Sequence, residues 1–65
     1  MLAVERRKQI LEQVHKDKKV IVSELSRQFR VSEETIRRDL EKLAEDGHVI
    51  KSYGCLLYTS YDLQR

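Results

Sequence analysis

The sequence predicts a mainly α fold: a winged helix-turn-helix with three helices and a small β-hairpin wing. Three observations support this. Two segments, beginning at Ser23 and at Ser32, carry apolar side chains at helical spacing and are joined by only two or three residues. Another amphipathic segment precedes them. Strand-like runs lie at 20–22 and 48–53. Two helices joined by so short a link are typical of the helix-turn-helix arrangement.

Size and composition limit the chain to one small domain. It has 65 residues, of which 37% are charged and 40% hydrophobic, with zero Pro and two Gly, and this favours long regular elements. The formal net charge of +2 is only a weak indication of a nucleic-acid partner. The local placement of charge must therefore carry any functional argument.

Several kinds of site are not expected in this sequence. Cys55 is the single cysteine, which excludes an internal disulfide, and His15 and His48 lack the spacing of metal ligands. We therefore expect neither a metal nor a cofactor. There is no nucleophile–base pair and no phosphate-binding loop, so we expect no enzyme. No apolar run resembles a signal peptide or a membrane span, and the expected location is the cytoplasm.

The pattern of residues 3–16 predicts the first helix. Ile10, Leu11 and Val14 fall at positions i, i+1 and i+4, and most of the other residues are good helix formers. A charged turn follows at 16–19.

The β-branched run at 20–22 predicts a brief strand. We expect Ser23 to cap a second helix that runs to about Arg30, with Leu25 and Phe29 pointing inward.

Ser32 is the expected N-cap of the third helix, with Glu33 and Glu34 in its first turn, where the helix dipole favours acids. Gly47 is expected just past the end, in the left-handed conformation. The helix carries an apolar stripe at i, i+4, i+7 and i+8: Ile36, Leu40, Leu43 and Ala44.

The outer face of this helix carries the candidate functional residues, with Arg38 nearly opposite the stripe and Arg37 and Thr35 on its two flanks. Hydroxyls at Ser32 and Thr35 can bond phosphates or base edges, and Arg37 and Arg38 can clamp phosphates or read guanine. Recognition helices contact bases mainly from their N-terminal part, where these residues lie. The residues alone leave open a solvated face of weak i,i+4 ion pairs. Asp39 lies near the edge of the apolar stripe, and we expect it to pair with a cation of a neighbouring helix.

The stretch LSRQFRVSEETIRRDLEKLAEDGHVIKSYG at 25–54 resembles the N-terminal domain of DeoR-type bacterial transcriptional regulators. The shared residues are Leu25, Val31, Ser32, Glu34, Thr35, Ile36, Arg37, Arg38, Asp39, Leu40, Leu43 and Gly47. The resemblance covers residues 3–54, and its TIRRDL core is highly specific.

The resemblance implies a winged helix-turn-helix domain at 3–54, with the motif at about 20–39. It also implies binding to double-stranded operator DNA and, usually, repression of a sugar-utilisation operon. In that family a larger domain follows, which senses a sugar phosphate and oligomerises. An effector and a homo-oligomer are therefore expected only of a longer parent protein.

These considerations give two sets of predicted residues. The predicted DNA contacts are Ser32, Glu34, Thr35, Arg37, Arg38 and Lys42 of the third helix and Lys51, Ser52 and Tyr53 of the wing. The predicted core is Ile10, Leu11, Val14, Val22, Leu25, Phe29, Val31, Ile36, Asp39, Leu40, Leu43 and Val49.

The sequence departs from the family pattern after Gly54. CLLYTS at 55–60 matches a translation of TGT CTC TTA TAC ACA TCT, which resembles a transposon end used as a sequencing adapter. This predicts that 55–65 is a non-native read-through tail. The alternative is a native second wing strand at 56–59, for which the β-propensity is good.

A second function is compatible with the same fold. The acids that accompany the arginines would suit a winged-helix module that binds protein rather than DNA.

Overall fold

The computed structural model describes residues 1–52 and 57–60, and within them it contains three helices and a three-stranded sheet. This confirms the predicted fold class. In chain order the elements are α1 (Ala3–Asp17), β1 (Lys19–Ile21), α2 (Val22–Phe29), α3 (Glu33–Glu45), β2 (Val49–Ser52) and β3 (Leu57–Ser60).

The sheet has the order β1-β3-β2, and β3 pairs antiparallel with both neighbours. Tyr58 lies opposite Val20 on one side and Lys51 on the other. The peptide after the expected turn thus forms the second wing strand and also ties the wing to β1. The expected turn at Gly54 lies outside the described residues.

The junction of β1 and α2 differs from the expectation by one residue. The strand is Lys19–Ile21 rather than 20–22, and Val22 is the first residue of α2, with its side chain fully buried. Ile21 is the extended residue before the helix, so the prediction of Ser23 as N-cap was wrong. Ser23 instead lies in the first turn, where its carbonyl accepts a hydrogen bond from the Ser26 hydroxyl at 3.1 Å. Burial of Val22 fixes where the helix starts, and no side-chain cap is used there.

The core lies between the three helices and one face of the sheet. Its buried apolar side chains are Ile10, Val14, Val20, Val22, Leu25, Ile36, Leu40, Leu43 and Val49. Leu11, Phe29, Val31 and Ala44 are partly buried and pack against this cluster. Every apolar residue expected in the core lies in one of these two sets. Full burial of such a side chain contributes about 1.5–3 kcal/mol, so a few of them decide whether a chain this small folds.

Helices α2 and α3 end with the same backbone motif. The N–H of Val31 bonds to the carbonyl of Ser26 at 3.1 Å, and the N–H of His48 bonds to that of Leu43 at 2.9 Å. Each bond spans a residue in the left-handed conformation. It provides a hydrogen-bond donor for a carbonyl at the helix end that has no partner within the helix. At α3 that residue is Gly47 (φ 82°), as predicted, but at α2 it is Arg30 (φ 58°).

Candidate nucleic-acid interface

The N-terminal turn of α3 is fixed by Ser32. Its Oγ accepts a hydrogen bond from the backbone N–H of Thr35 at 3.1 Å, which confirms the predicted cap. The two hydroxyls also bond to each other at 3.0 Å. Ser32 and Thr35 therefore hold each other in place at the start of the helix. Each hydroxyl keeps hydrogen-bonding capacity for a further partner.

Arg38 lies on the side of α3 away from the buried stripe, and Arg37 lies at the flank of that side, partly buried. Arg37 donates to Glu33 at 3.2 Å, and Arg38 donates to Glu34 at 3.4 Å, each one turn back along the helix. The Arg38 side chain is 72% exposed and that of Arg37 is 36% exposed. A guanidinium has five N–H donors, and each of these contacts uses one. Most of the donor capacity of both arginines is therefore not used by these contacts.

These exposed pairs are weak. Surface pairs of this spacing contribute about 0.3–0.5 kcal/mol, because water screens the charges and both side chains lose freedom. A phosphate or a guanine edge offers two acceptors in the geometry that the guanidinium fork prefers. Such a ligand can therefore replace the carboxylates at little cost to the helix.

The rest of the outer surface of α3 is mixed in charge. Lys42 is exposed and lies beyond the arginines, between the exposed carboxylates of Glu41 and Glu45. The two arginines of this helix consequently lie in its first half, each one turn after a carboxylate, Glu33 or Glu34. That half is the part that enters a groove in helix-turn-helix complexes.

Asp39 lies on the opposite side of α3 and is 2% exposed. Its two carboxylate oxygens accept hydrogen bonds from Nε and Nη2 of Arg6 on α1. A longer contact, 3.4 Å, reaches Arg7. The bond to Asp39 raises the pKa of Arg6 above its ordinary value, so the Arg6 guanidinium stays charged. The expectation that Asp39 pairs with a cation of a neighbouring helix agrees with this geometry.

The partner of Asp39 was not identified from the sequence. Arg6 is 33 residues away, and no local pattern links the two positions. One signal was available: Arg6, Ile10 and Val14 fall at i, i+4 and i+8 of α1, and the last two are fully buried. A cation in line with a buried stripe needs an anion from another element.

The predicted wing contacts are only partly described. Lys51 and Ser52 lie in β2, opposite Tyr58 and Leu57 of β3. The third predicted wing residue, Tyr53, lies outside the described residues. The proposed contribution of the wing to binding therefore stays a prediction.

Two other features are absent from the described part of the chain. It holds no group of His, Cys, Asp and Glu side chains arranged to bind a metal ion. None of its helices combines the length and the apolar character needed to cross a membrane.

Comparisons with known proteins agree with the fold. The family model described as a DeoR-like helix-turn-helix domain matches residues 6–61. Over 54 residues the chain is 50% identical to the uncharacterized HTH-type transcriptional regulator YulB of Bacillus subtilis. It is 48% identical over 54 residues to the uncharacterized HTH-type transcriptional regulator YgbI of Escherichia coli. An uncharacterized HTH-type transcriptional regulator of Haemophilus influenzae is 39% identical over the same length.

Each of these alignments covers 83% of this chain but only 21% of the relative. The chain therefore spans about a fifth of the length of the curated relatives it matches. No solved structure gives a significant match.

Proposed function

The chain belongs to the DeoR-like helix-turn-helix family, and we propose that it is the DNA-binding domain of a transcriptional regulator. In this proposal the first half of α3 enters the major groove. Arg37 and Arg38 contact base edges or phosphates there, helped by Ser32, Thr35 and Lys42. The observation that carries the proposal is the pair of arginines outside the buried stripe, Arg38 exposed and Arg37 partly exposed, each in a weak i,i+4 contact with a carboxylate of the same helix.

The role of the acids follows from the same geometry. Glu33 and Glu34 hold the two guanidinium groups in the absence of DNA and favour the helix through its dipole. Glu34 also lies on the outer face, where a carboxylate can accept a hydrogen bond from the amino group of cytosine. We propose that the wing contacts the neighbouring DNA backbone through Lys51, Ser52 and Tyr53.

The finer regulatory role is proposed from the resemblance. We propose that the longer parent protein represses a sugar-utilisation operon in the bacterial cytoplasm. A sugar phosphate would bind to a separate domain of that protein, which would also make it a homo-oligomer. A single domain would then bind weakly, because such proteins occupy two half-sites through a dimer.

The first test is selection of duplexes from a random-sequence library by the immobilised 65-residue chain. The enriched duplex is then titrated at several salt concentrations. We expect Arg37→Ala/Arg38→Ala to weaken binding at least tenfold, because each arginine that reads a base contributes about 1–3 kcal/mol. The matched control is Lys8→Gln/Lys16→Gln, which removes the same charge from exposed positions of α1. It should change the affinity by no more than about threefold, through the general field alone.

Two results would contradict the proposal. If the double arginine variant binds the enriched duplex as tightly as the parent, the assigned face is wrong. If no sequence is enriched and no salt-dependent binding occurs, while circular dichroism shows a folded helical chain, the domain does not bind DNA.

The second result would favour the alternative, a protein-binding module. One observation supports that function: the described surface of α3 carries the carboxylates of Glu33, Glu34, Glu41 and Glu45 around its cations. A partner with a basic surface would recognise them.

A further inference from the structure

We propose that Arg30, in the turn between α2 and α3, is a phosphate-binding residue of the DNA interface. The inference rests on the proposed function and deepens it. It adds a contact that the sequence pattern did not indicate, and it assigns that contact to the DNA backbone rather than to the bases.

The backbone of Arg30 is unusual for its residue type. Its φ is 58°, in the left-handed region where a Cβ atom crowds the following carbonyl, so that glycine is preferred there. Helix α3 ends in the same hydrogen-bonded motif and does use glycine, Gly47. The chain thus accepts at the end of α2 a strain that it avoids at the end of α3. At the end of α1 Lys18 has the same left-handed backbone (φ 71°), so this strain supports a functional use for Arg30 only together with the position of Arg30 next to α3.

The position of Arg30 suits a phosphate contact. The residue is exposed, and none of the ion pairs among the described residues involves it. It lies two residues before Ser32, the N-cap of α3, which places its Cα within about 7 Å of chain from the start of that helix. The N-terminal end of α3 is the end that we propose enters the groove. A flexible cation beside it can reach the phosphates that border the groove.

A structural explanation competes with this one. A cation at a helix C-terminus interacts favourably with the helix dipole, and Lys18 at the end of α1 is also basic and left-handed (φ 71°). If that were the whole role of Arg30, its removal would destabilise the fold and leave DNA binding unchanged. The two explanations therefore predict different results.

The test compares Arg30→Gly and Arg30→Lys with the parent chain on a random-sequence duplex of about 20 base pairs. Phosphate contacts do not depend on sequence, and each contributes about 0.9 to the slope of log affinity against log salt. Arg30→Gly should reduce the slope by about one and weaken binding about five- to tenfold at 0.1 M salt. Arg30→Lys should keep most of the affinity, because it keeps the charge. The urea midpoint of Arg30→Gly should be no lower than that of the parent, since glycine suits the backbone. Lys8→Gln, on α1, is the control for the loss of one charge.

Three results would overturn the proposal: Arg30→Gly binds like the parent, Arg30→Lys loses as much as Arg30→Gly, or Lys8→Gln loses as much as either. Failure of the proposed function looks different. In that case the parent chain itself shows no salt-dependent binding to the duplex.

Discussion

Helix α3 makes arginine–carboxylate contacts on both of its faces, and the two kinds of contact differ in their surroundings. On the inner face Asp39, with a side chain 3% exposed, binds Arg6 of α1, with a side chain 12% exposed. On the outer face Arg38 binds Glu34 of the same helix, and both side chains are more than two-thirds exposed. The inner pair joins two elements that are far apart in the chain. The outer pair joins two turns that the helix already holds together.

The difference explains how one short helix can serve the fold and a ligand at once. A buried pair costs much to break, since removal of one partner leaves an uncompensated charge away from water. An exposed pair costs little to break, since water solvates both groups. Strong contacts on the inner face therefore fix the direction of α3. Weak contacts on the outer face leave its arginines able to exchange partners.

The largest expected effect comes from the inner pair. Asp39→Asn should lower the free energy of unfolding by about 3 kcal/mol, toward the low end of the range for a buried pair because Arg6 keeps some contact with water. A domain of this size has only about 3–10 kcal/mol in total. Urea denaturation followed by circular dichroism measures the change.

A second variant tests the same pair if Asp39→Asn does not fold. Arg6→Met/Asp39→Leu replaces both charges by apolar groups and should recover at least half of the loss. A loss below about 1 kcal/mol for Asp39→Asn would show that the two faces of α3 do not differ as described.

An intermediate effect is expected for Ser32, which lies on the outer face but caps the helix. Ser32→Ala removes the acceptor for the Thr35 N–H and should lower the free energy of unfolding by about 1 kcal/mol. Ser32→Asp, which can still cap, is the matched control. Equal stability of the alanine variant and the parent in urea denaturation would show that the cap contributes nothing.

The smallest effect on stability is expected for Glu33. Glu33→Gln removes the carboxylate that holds Arg37 and should lower the free energy of unfolding by about 0.5 kcal/mol or less. The same change should raise the affinity for a random-sequence duplex about twofold, since it removes a negative charge near the phosphates. Thermal denaturation and duplex titration measure the two effects. Reduced affinity would mean that Glu33 supports binding and does not compete with it.

Much of this organisation could be predicted from local patterns. Helical spacing identified the buried stripe of α3, and its caps followed from residue types with few alternatives, Ser32 and Gly47. The role of Asp39 followed from its angle to that stripe. Each of these predictions depends on residues close together in the chain, where helix geometry fixes the distances.

The features that the sequence did not predict depend on contacts between distant residues or on tolerated backbone strain. In the sequence, Val22 fits the end of a strand and the start of a helix equally well. Its burial against the assembled core determines that it begins α2. Arg6 could not be assigned to Asp39 before the packing of α1 on α3 was known. Arg30 gives no local signal of a left-handed backbone, in contrast to Gly47.

In this proposal Arg37 and Arg38 on the outer face of α3 bind DNA, whereas Arg6 of α1, paired with Asp39 on the inner face, maintains the fold. Nuclear magnetic resonance of the arginine Nε–H groups, recorded as an enriched duplex is added, tests this in one sample. We expect the signals of Arg37 and Arg38 to shift as they exchange Glu33 and Glu34 for DNA, while the signal of Arg6, bonded to Asp39, stays in place. If the complex forms and the signals of Arg37 and Arg38 do not move, or if that of Arg6 moves as much as theirs, the claim is wrong.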